Sequence, residues 1–274
     1  MKTGKLNNSF FRIVPFMVML ILISSCSEVI EFELKETAPQ LVVEATVPES
    51  EYAEVVLSKT VNVNANNEGN KVTGAMVILE DENGNSETLN EVTPGRYRSS
   101  KIKGIPNANY KLRIETADDQ VREITSEDRM PEPVPISRLR VRESNMPDIN
   151  GLPVPQWEVI VEYNDPVNER NYYRFVEYVN GKVTAHYVEN DTFNNGTKSK
   201  SFLTSCDRKL VPGDTVTVEM QSISKAVYDY FYGFSLLNNV SQGSSVVNPV
   251  TNVSGVKLGY FSAHTVNRKS IVVK

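Results

Sequence analysis

The chain is 274 residues long with a formal net charge of −5. It carries no long basic run, so nucleic acid binding has no electrostatic footprint. Cys206 is the one cysteine beyond Cys26 and cannot close a disulfide inside the folded domains, and the two histidines, His186 and His264, sit in no H-E-x-x-H, C-x-x-C or calcium-loop pattern, so no metal or other cofactor is expected.

The N-terminal stretch Phe10–Cys26 reads FFRIVPFMVMLILISSC. Lys2, Lys5 and Arg12 give a positive start, Val14–Ile23 an apolar run broken early by Pro15, and Ser24 and Ser25 a small-residue exit, together an export signal over residues 1–25. The run is too short to cross a bilayer, because a spanning helix needs about 20 apolar residues. Its end, Ile23-Ser24-Ser25-Cys26, resembles the lipobox of bacterial lipoproteins. That resemblance implies cleavage before Cys26, a diacylglycerol thioether on its sulfur and acylation of the new N-terminus. Such chains anchor firmly, each buried CH2 contributing about 0.8 kcal/mol. The acidic residues that follow, Glu28, Glu31 and Glu33, resemble the surface-export signal of Bacteroidota lipoproteins, which implies an outer-membrane protein facing the cell exterior.

Residues 26–40 read as a lipidated tether ending near Pro39. About 250 residues remain, which suits two domains of roughly 100 to 150 residues. Leu41–Val47 and Ala53–Lys59 are β-branched and read as strands. Residues 62–70 form an Asn-rich loop, Ala75–Leu79 a short strand, and Asp81-Glu82-Asn83-Gly84-Asn85 a hairpin turn, with Asn-Gly supplying positive φ. A calcium loop is the sharper reading of those five residues, but their spacing fits none. Gly95–Arg98 opens another strand, and Asn109–Thr116 alternates Tyr110, Leu112 and Ile114 with polar neighbours, as a half-buried strand does. The pattern predicts a β-sandwich over 41–130, and the segment resembles the immunoglobulin- or transthyretin-like modules of carboxypeptidase regulatory domains. Met130–Pro135 (MPEPVP) cannot continue a ladder, since proline donates no hydrogen bond. Residues 131–135 are the expected hinge.

A second domain is expected over 136–274, mainly β with one helix near 224–238. Ile136–Val141, Trp157–Tyr163, Asn171–Val179 and Thr215–Met220 read as strands, with an exposed loop over 190–200. In the helix, Val227, Tyr230, Phe231, Phe234 and Leu237 fall on one face and Ser224 stands at the cap position. The expectation is that this face, Val227, Phe231 and Phe234 included, lies in the core; a ligand platform is the alternative for its aromatics. A polar loop over 238–252 leads to closing strands at Val256–Ala263 and Ser270–Lys274. The Asp214-Thr215-Val216 triplet resembles an O-glycosylation signal of exported Bacteroidota proteins.

Catalytic patterns are missing. There is no G-x-S-x-G elbow and no phosphate-binding glycine loop. Ser262 lies two residues before His264, but sequence adjacency makes no triad, and a structural or surface histidine is the expectation. The acidic pairs Asp118-Asp119 and Glu127-Asp128 read as solvated charge in turn-like stretches. No catalytic residue is assigned, and the chain is not expected to be an enzyme.

Taken in order, the lipobox Cys26, LVVEATV, GAMVILED, GRYRS, MPEPVPI, YNDP with NYYRF, ISKAVYDYFYGF and NPVTNVSGVKLGYFSA resemble the lipoprotein family called domain of unknown function 4249 in Bacteroidota. The resemblance spans nearly all of the chain beyond the signal. It implies no activity and no catalytic residues. It does imply a genomic setting beside TonB-dependent outer-membrane transporters. The expected function is therefore a non-catalytic accessory or binding component of a TonB-dependent nutrient uptake system, its ligand unidentified. A structural or adhesive surface lipoprotein is the second reading, and a hydrolase with an unrecognised site the third.

Overall fold

A computed structural model describes residues 38–274 except 62–69, 117–122, 148–151, 168, 205–208 and 239–247. Cys26, most of its tether, Asp118-Asp119 and Cys206 lie outside the described residues.

The first half holds β1 (Leu41–Pro48), β2 (Tyr52–Lys59), β3 (Met76–Asp81), β4 (Ser86–Thr88), β5 (Asn90–Thr93), β6 (Arg96–Lys103), β7 (Asn109–Glu115) and β8 (Ile124–Arg129). The second holds β9 (Ile136–Pro147), β10 (Pro153–Asn164), β11 (Tyr172–Val179), β12 (Lys182–Asn190), β13 (Lys198–Thr204), β14 (Thr215–Ile223), helix α1 (Lys225–Asn238), β15 (Leu258–His264) and β16 (Asn267–Val272). The chain is mainly β, as its composition of alternating strands predicts. One sandwich pairs the sheet β15-β1-β2-β6-β5 with β4-β3-β7-β8; the other pairs β13-β10-β9 with β12-β11-β14-β16.

Period-two alternation decides the inner faces. In β7, Tyr110, Leu112 and Ile114 are buried while Lys111 and Arg113 are exposed. They join Val43, Leu57, Val77, Leu79, Tyr97 and Phe261 in the first core. The second core is more aromatic: Tyr163 and Tyr173 meet edge-on at 5.0 Å, and Phe175, Val218 and Met220 pack beside them. The Tyr173 hydroxyl donates to Asp165 at 2.5 Å, so this buried tyrosine is satisfied and burial pushes its ionisation far up.

β8 ends at Arg129 and β9 starts at Ile136. Both ends of the connecting segment are pinned, Met130 in the first core and Val134 in the second. One element expected in the C-terminal domain belongs elsewhere: β15 pairs in parallel with β1, from Val42 opposite Leu258 to Pro48 opposite His264. The chain thus leaves β14, forms α1, enters the first sandwich as β15 and returns to the second as β16. Gly259 makes the pairing possible. Its φ is +115°, and a Cβ there would fall 2.0 Å from the Val43 carbonyl oxygen. The Asn252 side chain extends the edge by donating to the Phe261 carbonyl and accepting from its amide, at 2.7 and 2.9 Å.

Several polar stretches prove more structured than the sequence suggests. Glu127-Asp128 lies in strand β8, and Asp128 is buried rather than solvated, because its face of β8 turns toward β15 and the start of α1. The turn at Asp81 is held by its own carboxylate, which accepts from the amides of Asn83 and Asn85 at 2.9 and 3.0 Å. The expected loop 190–200 shortens to 191–197, because β12 runs to Asn190 and β13 starts at Lys198. Thr215 of the Asp214-Thr215-Val216 triplet is exposed at the start of β14.

Candidate functional site

Strand β11 carries Tyr173 and Phe175 on its inner face and Arg174 on the opposite one. That outer face lies under α1 and, at Arg174, lines a cleft shared with Tyr260 of the first sandwich. β15 alternates in the same way: Phe261 and Ala263 enter the first core, while Tyr260, Ser262 and His264 point outward. Helix α1 lies against β11, β12 and β15, and Ser224 caps it, its hydroxyl accepting from the Val227 amide at 3.3 Å.

Only part of the helix face is covered. Val227 is 0% exposed and Tyr230 8%, but Phe234 is 49% exposed and Phe231 is half-buried. The expectation that Val227, Phe231 and Phe234 are all core is corrected at its last two members. The helix lies over a notch lined by residues of β11, β12 and β15, and its side chains become more exposed from Val227 toward Phe234.

The notch is a cleft of about 340 Å³, within the size range of small-ligand sites. Glu44 and Tyr260, partners in the β1–β15 register, form one wall. Arg174 and His186 form the opposite wall, and Phe231 and Phe234 the roof. The aromatics are in contact: Phe231 and Tyr260 have centroids 4.8 Å apart, Tyr230 and Tyr260 5.3 Å. Burial pushes the Tyr260 hydroxyl up to about 12, so it stays protonated near neutral pH.

Arg174 dominates the electrostatics. Its guanidinium carbon lies 4.3 Å from the Phe231 ring centroid, a cation–π contact. Nη1 donates to Gln221 Oε1 at 3.0 Å, and Nη2 lies 3.1 Å from His186 Nδ1. Arginine can only donate, so Nδ1 accepts and the neutral ring keeps its proton on Nε2. Burial, then the neighbouring Arg174 charge, lowers the His186 pKa, which favours that neutral form. Arg174 Nε is shut off from solvent without a partner, and among the described residues no carboxylate forms an ion pair with this side chain. Its nearest compensation runs through Gln221, which donates to Glu219 at 2.5 Å; Glu219 in turn accepts from Arg268 Nε at 2.7 Å, and Arg268 reaches Glu51 at 3.3 Å. This line of polar groups crosses from the second sandwich to the first.

A second, more polar groove of about 580 Å³ runs over the outer face of β3, β7 and β8. Its charges compensate one another, Lys111 with Glu127 at 3.6 Å and Arg113 with the nearby Glu115 at 3.9 Å. Ser262 and His264 do approach, Oγ to Nδ1 at 3.0 Å, but both are buried between the sandwiches, and burial pushes the His264 pKa down to about 4. They are a satisfied structural pair with no open side. Among the described residues, no group of three or more His, Cys, Asp or Glu side chains is placed to hold a metal. The sequence singled out the helix aromatics; it gave no sign of Arg174, Glu44 or His186, whose convergence depends on sheet pairing between distant segments.

These features define a two-sandwich β protein with an aromatic cleft where its sheets meet. The chain belongs to the family described as Domain of unknown function (DUF4249), whose model matches residues 27–270. Among solved structures it is similar to a two-domain fibronectin type-III segment of chicken tenascin, at 14% identity over 67% of this chain and 90% of that one, TM-score 0.23. It is also similar to the chicken interferon gamma receptor alpha chain, at 11% identity over 68% and 90%, TM-score 0.20. For the FN1–FN3 domains of chicken CNTN1 the identity is 11% over 68% of this chain and 60% of that one, with TM-score 0.24. No curated protein matches the chain.

Proposed function

We propose that the protein is a non-catalytic binding component, tethered to the outer membrane through lipid on Cys26, that holds a small solute in the cleft between its sandwiches and works beside a TonB-dependent transporter. The observation that carries the binding part is the cleft itself: aromatic walls and an arginine that, among the described residues, has no carboxylate partner. The tether rests on the lipobox sequence and the transporter on the family resemblance. The adhesive reading has no comparable feature behind it.

The binding part is tested by incubating the full-length chain with an extract of culture medium and identifying retained compounds by native mass spectrometry. Phe234→Asp serves as control, because Phe234 is 49% exposed and its loss leaves the cores intact. A compound held by the wild type and not by the variant is expected; equal retention, or none, contradicts the reading. For the tether, labelling with a fatty-acid analogue should be lost in Cys26→Ala. For the partner, a C-terminal tag should recover a β-barrel from solubilised outer membrane. Recovery of the chain without any barrel, where a known transporter complex survives, would put the adhesive reading ahead.

A further inference from the structure

The charge inventory of the cleft is unequal along its length. On one wall stands Arg174, roofed by the Phe231 ring, its amino groups held among the described residues by neutral acceptors alone, Gln221 and His186. Taking a cation out of water costs free energy that neutral hydrogen bonds offset only in part. The Nε hydrogen without an acceptor adds to that cost. At the opposite wall stands the exposed carboxylate of Glu44, with Tyr260 beside it. Between them lie the rings of Tyr230, Phe231 and Tyr260, in mutual contact at interplanar angles of 40° to 83°. In the groove on β3, β7 and β8, by contrast, both cations have carboxylate neighbours.

We infer that the cleft takes a small compound with a flat apolar body and a single carboxylate, the carboxylate pairing with Arg174 and the body lying against Phe231, Phe234 and Tyr260. The inference rests on the binding reading above and gives its ligand a chemistry. A planar carboxylate can take two parallel N–H donors of a guanidinium at once. The amino groups of Arg174 keep free hydrogens after Gln221 and His186 have each taken one. Glu44 sets the limit on charge. A ligand with a second negative group at its far end would meet the Glu44 carboxylate, whereas a neutral or donor-bearing end would be tolerated or held. Depression of the arginine pKa by burial agrees with a cation that gains from an incoming anion. The aromatic walls supply apolar area and edge-on or stacked ring contacts.

The test uses three probes of one shape: 2-naphthoate, its neutral relative 2-naphthamide, and naphthalene-2,6-dicarboxylate. Each is titrated by calorimetry into the full-length chain, with the heat of injection into detergent alone subtracted. The expected order is naphthoate tightest, with the amide and the dicarboxylate each weaker by about tenfold or more, the size of one lost charge-assisted hydrogen bond. Arg174→Gln should erase the preference for naphthoate over the amide. Phe234→Ala, at an exposed position that folding does not need, should weaken all three together. Glu44→Gln should restore much of the affinity for the dicarboxylate. Amide binding as tight as naphthoate, yet lost in Phe234→Ala, would overturn the carboxylate assignment while leaving the cleft a binding site. Naphthoate binding that neither Arg174→Gln nor Phe234→Ala changes would place it elsewhere and overturn the inference. Failure of every probe would also overturn it, and the retention experiment then shows whether the binding reading falls too.

Discussion

The sheet β12-β11-β14-β16 has two faces, one packed into a core and the other only partly covered. Its inner face, Tyr173, Phe175, Val218 and Met220, is close-packed and dry. Its outer face, Arg174, Glu219, Gln221 and the half-exposed Arg268, is partly covered by the first sandwich and α1 and held by a line of hydrogen bonds from Glu51 to His186. The same strand alternation produced both. Period two tells which side of a strand is polar; it does not tell whether water or another sheet lies against that side. The inner face gives the half its stability, and the outer face gives the molecule a site.

The comparison is sharpest where packing alone is at stake. Phe175→Ala removes a ring that is 0% exposed and should cost about 3–5 kcal/mol in urea unfolding. The matching change across the sheet, Phe231→Ala, opens onto the cleft and should cost less than half as much. Equal losses would mean that the cleft is closed in solution.

The next prediction concerns pH. Burial raises the Asp128 pKa to about 6 from its ordinary 3.8, despite hydrogen bonds from Ser224 and the Ala263 amide. Burial lowers that of His264 to about 4 from 6.5. Asp128 is protonated in the folded chain where the unfolded chain has lost its proton, so its contribution is present below about 3.8 and lost as pH rises through about 6. His264 acts in the opposite sense: the unfolded chain takes up its proton first, so stability falls as pH drops from 6.5 through about 4. Each displacement is worth about 3 kcal/mol at 1.36 kcal/mol per pH unit, and the two nearly cancel over pH 4–6. Asp128→Asn should therefore unmask a stability that rises by about 3 kcal/mol between pH 4 and 6.5, and His264→Gln one that falls. Parallel curves for wild type and both variants would show that these groups are not buried between the sandwiches.

The smaller effect belongs to the polar line. Glu219→Ala leaves the Arg268 and Gln221 donors unmatched and should cost about 1–3 kcal/mol. Arg268 is half exposed and can turn to water, which keeps the cost toward the lower figure. A double-mutant cycle with Arg268→Ala should give a coupling of about 1 kcal/mol; no coupling would mean that the line is an unlinked set of surface contacts.

Much of the β architecture was legible, because Tyr110, Leu112 and Ile114, or Trp157, Val159 and Val161, alternate cleanly against polar neighbours. β12 was not: Lys182–Asn190 is polar and weakly patterned, since it is an edge strand whose side chains are mostly half exposed. Nor was β8, where Ser126 and Asp128 point inward, their hydroxyl and carboxylate paired with segment 252–263 rather than replaced by apolar groups. The placement of β15 in the first sandwich could not be read either, for a strand records its two faces and not its partner. The candidate site was half visible. The aromatic spacing of α1 announced a face, but which rings are covered depends on the strands the helix lies against. Arg174 and Glu44 are 130 residues apart in the chain, and each alone looks like an ordinary outward charge.

Hydrogen–deuterium exchange of the full-length chain, with and without 2-naphthoate, tests the central claim most directly. The account predicts protection concentrated in β11, β12, the middle of α1 and β15, with the β3–β7–β8 groove unchanged. Protection confined to that groove, or no protection at a ligand concentration that saturates binding, would contradict it.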